Sequence, residues 1–165
     1  VRNVKNQKGY SLVEATIAVT ILGILASLLI PNLLTSRRAA NMAAAVSTLR
    51  AINSAQAMYQ STYGNGSFTS LSVLGNRGMV DRLVATPPNR KSGYRFTSNA
   101  VGTGAPARFD ATARPLVRNG QLATGTRNYY TNESGVIYFN NSLITSSPPT
   151  ANATTRVVFN GAALK

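Results

Sequence analysis

The stretch KGYSLVEATIAVTILGILASLLIPNLL, residues 8–34, decides how the rest of the chain is read. From Ala15 to Ile30 it holds neither a charge nor a proline. Glu14 heads the run and Pro31 closes its most apolar part. As a helix rising ~1.5 Å per residue, Leu12 to Leu34 spans about 35 Å, enough to cross the core of a bilayer. The residues before it, VRNVKNQKG, carry Arg2, Lys5 and Lys8 and no acid. A basic leader of this kind favours the cytoplasmic side, although Arg37 and Arg38 on the other flank pull against that orientation. Val1 stands where Met is usual and reads as a non-Met start or as a trimmed end.

Three readings compete for the apolar segment. A buried core helix needs a large domain around it, and the remaining chain is small and polar. A secretory signal has a basic region, an apolar region and a small-residue cleavage site. Here the run is long, Glu14 is out of place, and Ile24 two residues before Ala26 spoils an A-x-A site. A membrane-inserted helix meets the fewest objections. A carboxylate beside a lipid-embedded helix costs of order a few kcal/mol. Glu14 therefore has a partner or a function, or else it sits solvated at the interface, and charge alone does not choose.

The sequence that follows supports a continued helix. Between Ile24 and Tyr63 there is no glycine, Pro31 is the single proline, and alanine is abundant. Met42, Val46, Leu49, Ile52, Ala55, Tyr59 and Tyr63 recur every three or four residues, which makes one apolar stripe. Gly64-Asn65-Gly66 stops it. Ser11 to Tyr63 thus reads as one helix of ~80 Å, kinked or locally melted near Pro31. Its first half is apolar all round, and its second half has one face ready to pack on a small domain.

These residues resemble the N-terminus of type IV pilins and of the related pseudopilins of type II secretion. A short basic leader ends in Gly9, aromatic Tyr10 follows, Glu14 is the fifth residue counted from Tyr10, and a long apolar helix with Pro31 comes next. The resemblance implies cleavage between Gly9 and Tyr10 by a prepilin peptidase that also N-methylates Tyr10. It implies filament assembly in which Glu14 pairs with the N-terminal amine of a neighbouring subunit. Helices would then bundle in the filament core, with heads outside. The family usually has Phe where Tyr10 stands. The implied partners are further copies of this chain, the peptidase, inner-membrane assembly machinery, and the membrane before assembly. The implied location is the bacterial inner membrane and then an extracellular filament, or the periplasm for a pseudopilin. Adhesion, motility and DNA uptake are the roles that go with a pilus.

Residues 64–165 read as a head of short elements. SFTSLSVLGNRGMVDRLVA predicts a loop leading to a short helix near Met79–Val84. Strand candidates are Tyr94–Thr97, Ala107–Ala111, Asn128–Thr131, Val136–Phe139 and Arg156–Phe159, with a turn at Asn132-Glu133-Ser134-Gly135. The fold class is α+β: a long N-terminal helix packed against a small antiparallel sheet, pilin-like. The divisions are a leader at 1–9, a membrane or filament-core half-helix at 10–35, an amphipathic half at 36–63, and the head at 64–165.

Composition excludes much else. Lys plus Arg number 17 against 4 Asp plus Glu, and His, Cys and Trp are absent. There is no disulfide, no thiol or His-based catalysis and no Cys/His zinc site. The closing disulfide usual in one pilin class cannot form. Asp81, Asp110 and Glu133 alone are poor material for the calcium site common in major pseudopilins. No nucleophile elbow, Ser-x-x-Lys pattern or phosphate loop is present, so neither enzyme, metal nor cofactor is expected. The net charge of +13 suits acidic partners such as DNA or acidic surfaces. The candidate polyanion contacts are Arg90, Lys91 and Arg95 near Tyr94 and Phe96, and Arg127 near Tyr129 and Tyr130. A solvated basic surface, or Arg pairing between subunits, is the plainer alternative. Two function classes stay open: a filament subunit, pilin or pseudopilin, and a secreted or membrane-anchored basic binding protein.

Overall fold

A computed structural model describes residues 9–101, 107–142, 147–152 and 154–164. Most of the leader, residues 1–8, lies outside these. One helix, α1 (Leu12–Thr62), runs within one residue of the limits expected at either end. The chain divides after Thr35 into two units.

In the first unit, α1 is apolar on every side and exposed on nearly all of it. Leu12, Val13, Ile17, Val19, Leu22, Leu28 and Leu29 are each more than half exposed. Its hydroxyls do not need water. Thr16 donates to the Val13 carbonyl at 2.8 Å, Thr20 to Thr16 at 2.8 Å and Ser27 to Ile24 at 2.7 Å. Pro31 lacks an N–H and so leaves the Ser27 carbonyl without its usual helical donor. The helix nonetheless continues through Pro31 without a melted residue. Asn32 donates to the Leu28 carbonyl at 3.3 Å and Thr35 to the Asn32 carbonyl at 2.8 Å, which adds side-chain bonds around the gap.

From Ser36 on, the same helix has a buried face. Ala45, Leu49, Ile52 and Ala55 lie in the core, with Met42 and Val46 half-buried beside them. Facing them are strands β1 (Arg90–Lys91), β2 (Tyr94–Val101), β3 (Arg108–Pro115), β4 (Arg127–Asn132), β5 (Ile137–Asn141) and β8 (Ala162–Ala163). All are antiparallel, in the order β1-β2-β3-β4-β5-β8. Period-two alternation sends Tyr94, Phe96, Phe109, Ala111 and Ala113 inward and Arg95, Thr97 and Arg114 outward. Burying Leu49 or Ile52 contributes about 2 kcal/mol each.

Three local expectations need correction. The helix near Met79–Val84 is instead a pair, α2 (Leu71–Asn76) and α3 (Arg82–Ala85). Gly78, at φ +68, breaks the chain between them, and Asp81 caps α3 by accepting the Leu83 N–H at 2.9 Å. Gly75 of α2 lies so close to α3 that a Cβ there would collide with that of Ala85. The strand expected at Arg156–Phe159 shrinks to β7 (Val158–Phe159), which pairs with β6 (Thr150–Ala151) in a separate ribbon. The sheet position beside β5 goes to β8, which the sequence reading did not contain.

A buried glutamine ties helix to head. Gln56 is fully buried in what pattern alone makes an apolar face. Its Nε2 donates to the Thr69 carbonyl at 2.6 Å and to Ser98 Oγ at 3.0 Å, and its Oε1 accepts the Thr69 N–H at 3.1 Å. The side chain supplies the backbone partners that Thr69 lacks in its loop. Gln56→Leu keeps the bulk and strands those groups, so urea unfolding of the chain in detergent should show a loss of about 2 kcal/mol. An unchanged midpoint would mean that the bonds contribute nothing net.

Candidate functional site

The N-terminal site is simple in geometry. Gly9, Tyr10 and Ser11 precede the helix in extended or irregular backbone, and Tyr10 is 85 % exposed. Glu14 lies in the first turn of α1, where a carboxylate faces the positive end of the helix dipole. It is exposed and has no side-chain partner among the described residues. Among the described residues nothing covers Gly9, Tyr10 or Glu14.

The basic residues regroup relative to expectation. Lys91 is committed to Asp81 at 2.8 Å. The Lys91 hydrogen bond first, and the Leu83 N–H second, hold the Asp81 carboxyl below its ordinary range. Arg127 lies over the Phe139 ring at 4.5 Å and also reaches the Tyr129 hydroxyl, where its charge and hydrogen bond oppose the effect of burial. Arg90 and Arg95 remain exposed and face a groove with Arg114 and Arg118 instead. Strand register brings Arg90, Arg95 and Arg114 together, and Arg118, beyond the end of β3, lines the same groove. Arg38, read as a flanking charge, is a structural clamp: it donates to the carbonyls of Gly120, Gln121 and Ala123 at 3.0, 2.5 and 3.2 Å.

Sequence reasoning missed a cluster around Arg156. This residue adopts the left-handed conformation, φ +57, in a turn held by Asn152. Its Nε and Nη2 grip the two oxygens of Glu133 at 2.6 and 2.7 Å. Nη2 also reaches Asp110 at 2.7 Å and the Phe109 carbonyl at 3.0 Å. Tyr130 donates to the same Asp110 oxygen at 2.5 Å. Burial first, and the Asp110 bond second, push the Tyr130 hydroxyl far above the tyrosine range, so it stays a donor. Two of the three acids considered for calcium are thus brought together, but around a guanidinium. No group of three or more His, Cys, Asp or Glu gathers among the described residues. The only hint in sequence was the scarcity of acids, which makes each one's partner worth asking about.

Partial burial works to raise the Glu133 carboxyl, but the hydrogen bonds and charge of Arg156 outweigh it and hold the group below its ordinary 4.5. A carboxylate depressed in the folded state adds stability above its unfolded value and loses it as pH falls through the folded one. Glu133→Gln should therefore unfold more easily than the parent at neutral pH. The gap should close as pH drops below about 4.5, as read by thermal unfolding at a series of pH values. A gap independent of pH would remove the charge from the explanation.

A long N-terminal helix, apolar and exposed in its first part with one carboxylate in its first turn, together with an antiparallel sheet, is a pilin-like α+β architecture. Comparison with known proteins agrees. Residues 4–30 match the family described as the prokaryotic N-terminal methylation motif. The chain is 42 % identical over 66 residues to the type IV wide pilus major component PilA4 of Thermus thermophilus, covering 40 % of this chain and 49 % of that protein. It is 41 % identical over 56 residues to type II secretion system core protein G of Aeromonas hydrophila, covering 34 % and 39 %. To core protein G of Vibrio cholerae it is 39 % identical over 59 residues, covering 36 % and 40 %. The chain thus spans half or less of the length of these curated relatives. No solved structure matches. The N-terminal part of the chain is similar to that of type IV pilins and of type II secretion pseudopilins.

Proposed function

We propose that the protein is a structural subunit of a type IV pilus-like extracellular filament. It is made as a prepilin with leader 1–9, held in the inner membrane by residues 10–35, cut after Gly9 and N-methylated on Tyr10 by the prepilin peptidase. Residues 36–63 and the head at 64–165 form the folded remainder. Assembly machinery in the inner membrane then adds the subunit to others of its kind. The observation that carries the reading is the exposed apolar surface of α1 together with a partnerless Glu14. In an apolar bundle a lone carboxylate is costly, and so is a lone ammonium. The amine created at Tyr10 of one copy neutralises Glu14 of the next, which fixes both position and register. Contacts of this head-to-tail kind do not close on themselves and so generate a filament. The product is a scaffold rather than an enzyme, serving adhesion, motility or DNA uptake.

A second reading, a periplasmic pseudopilin of type II secretion, is favoured by the recurrence of core protein G among the relatives. The secreted or membrane-anchored binding protein is the third.

Mass spectrometry of the mature N-terminus separates the third from the others. A methylated Tyr10 is expected; an intact leader, or a cut after Ala26, would sink the filament reading. Glu14→Ala should still insert in the membrane, while filaments counted by electron microscopy become rare or absent. Normal filament numbers would refute the pairing.

A further inference from the structure

Three asparagines in the chain are followed directly by glycine: Asn65-Gly66, Asn119-Gly120 and Asn160-Gly161. Such a pair carries its own reaction. The glycine nitrogen and the asparagine side-chain carbonyl carbon close a five-membered ring when they meet, and glycine has no Cβ to obstruct the approach. All three asparagines are exposed, so exposure does not choose among them. The backbone does.

Asn65 and Asn160 sit in left-handed backbone, at φ +45 and +56. The ψ that goes with that region, about +47°, turns the next nitrogen to the side of Cα opposite Cβ, away from the side-chain carbonyl. Gly66 is also pinned at both ends. Its N–H donates to the Gln60 carbonyl at 3.1 Å, and its own carbonyl accepts Gln60 Nε2 at 3.0 Å. Gly161 is wedged against Pro149 and Tyr138, so closely that a Cβ on it would lie 2.7 Å from the Pro149 side chain. Its successor Ala162 is fixed as the strand partner of Phe139.

Asn119 escapes each of these restraints. Its φ is not left-handed. The Gly120 N–H has no acceptor among the described residues, and nothing stands within 4 Å of where a Cβ of Gly120 would be. Residues 116–122 are all exposed. The Gly120 carbonyl, by contrast, accepts Arg38 Nη2 at 3.0 Å and the Ala123 N–H at 3.2 Å. The loop is thus tethered just after the reacting nitrogen and free just before it.

We propose that Asn119 is a self-modification site, converted through attack by the Gly120 amide into aspartate and isoaspartate. The Gly120 nitrogen attacks Cγ of Asn119. The N–Cγ bond forms, the bond from Cγ to Nδ2 breaks, and Nδ2 leaves as ammonia with the proton given up by the Gly120 nitrogen. Water then opens the cyclic imide at either carbonyl, and nothing is oxidised or reduced. One opening gives aspartate. The other gives isoaspartate, which routes the main chain through the side chain and lengthens it by a methylene. Either product puts a carboxylate next to Arg118 in the chain and lowers the net charge of +13 by one. The longer route also displaces the Gly120 and Gln121 carbonyls that Arg38 holds. Because ammonia is lost, the head carries a charge mark that grows with the age of the chain. The site acts within a single chain and does not rest on filament formation.

The test is to age the full chain in non-ionic detergent and mildly alkaline, oxygen-labelled water. Peptide mapping with fragmentation that separates aspartate from isoaspartate then reads each position. Solvent oxygen should enter residue 119 at least about tenfold faster than residues 65 and 160, a barrier difference of about 1.4 kcal/mol. In urea, where the backbone restraints are gone, the three rates should converge. Isoaspartyl methyltransferase should label the aged parent, and the equally aged Asn119→Gln variant much less. Similar rates at the three positions of the folded chain, or faster reaction at 65 or 160, would overturn the site. A preference for 119 that persists in urea would trace it to sequence neighbours and overturn the structural assignment. Equal labelling of parent and variant would overturn it as well.

Discussion

Everything in the N-terminal unit follows from apolar surface that has no cover within its own segment. From Leu12 to Leu33 the large side chains face outward around the whole helix. In water that surface is unfavourable at roughly 25 cal/mol per Å². In lipid or in a bundle of like helices it is the favourable state. The polar groups are arranged for the second case. Each hydroxyl of Thr16, Thr20 and Ser27 returns to a carbonyl of its own helix, which is what a medium without water demands. Glu14, in the first turn, has no such partner among the described residues.

From Ser36 the same helix is adapted to a different surrounding. One face is buried, and its polar side chains reach outward to the loops they order: Arg38 and Asn41 to the carbonyls at 120–124, Asn53 to Thr131, and Gln56 to Thr69 and Ser98. The head is held at both levels, by apolar contact along the sheet and by single polar side chains that supply backbone groups with partners. Charge is distributed by the same logic. Few acids are present, and those from Asp81 onward each join two parts of the chain or close a turn.

The helix, its two characters and the four main strands were legible because each rests on a local period, 3.6 or 2, that a sequence displays. The turn at Asn132–Gly135 was legible because Gly135 takes a positive φ that favours glycine. What was illegible depends on pairing at a distance. Ala162–Ala163 has no strand signature and becomes a strand only because β5 offers an open edge. Gln56 interrupts no pattern, yet its role needs Thr69 and Ser98 to be brought to it. Arg90, Arg95 and Arg114 form a row only once register is known, whereas the sequence neighbours Arg90 and Lys91 go separate ways. Arg156 read as the start of a strand, and its left-handed turn is stabilised by Asp110 and Glu133, which lie far away in the chain.

That last cluster fastens the C-terminal segment to the sheet with charge where no cysteine exists to do it with sulfur. Such a fastening forms as the chain folds, needs no oxidant, and is indifferent to the redox state on either side of a membrane. It is undone by acid, not by reductant.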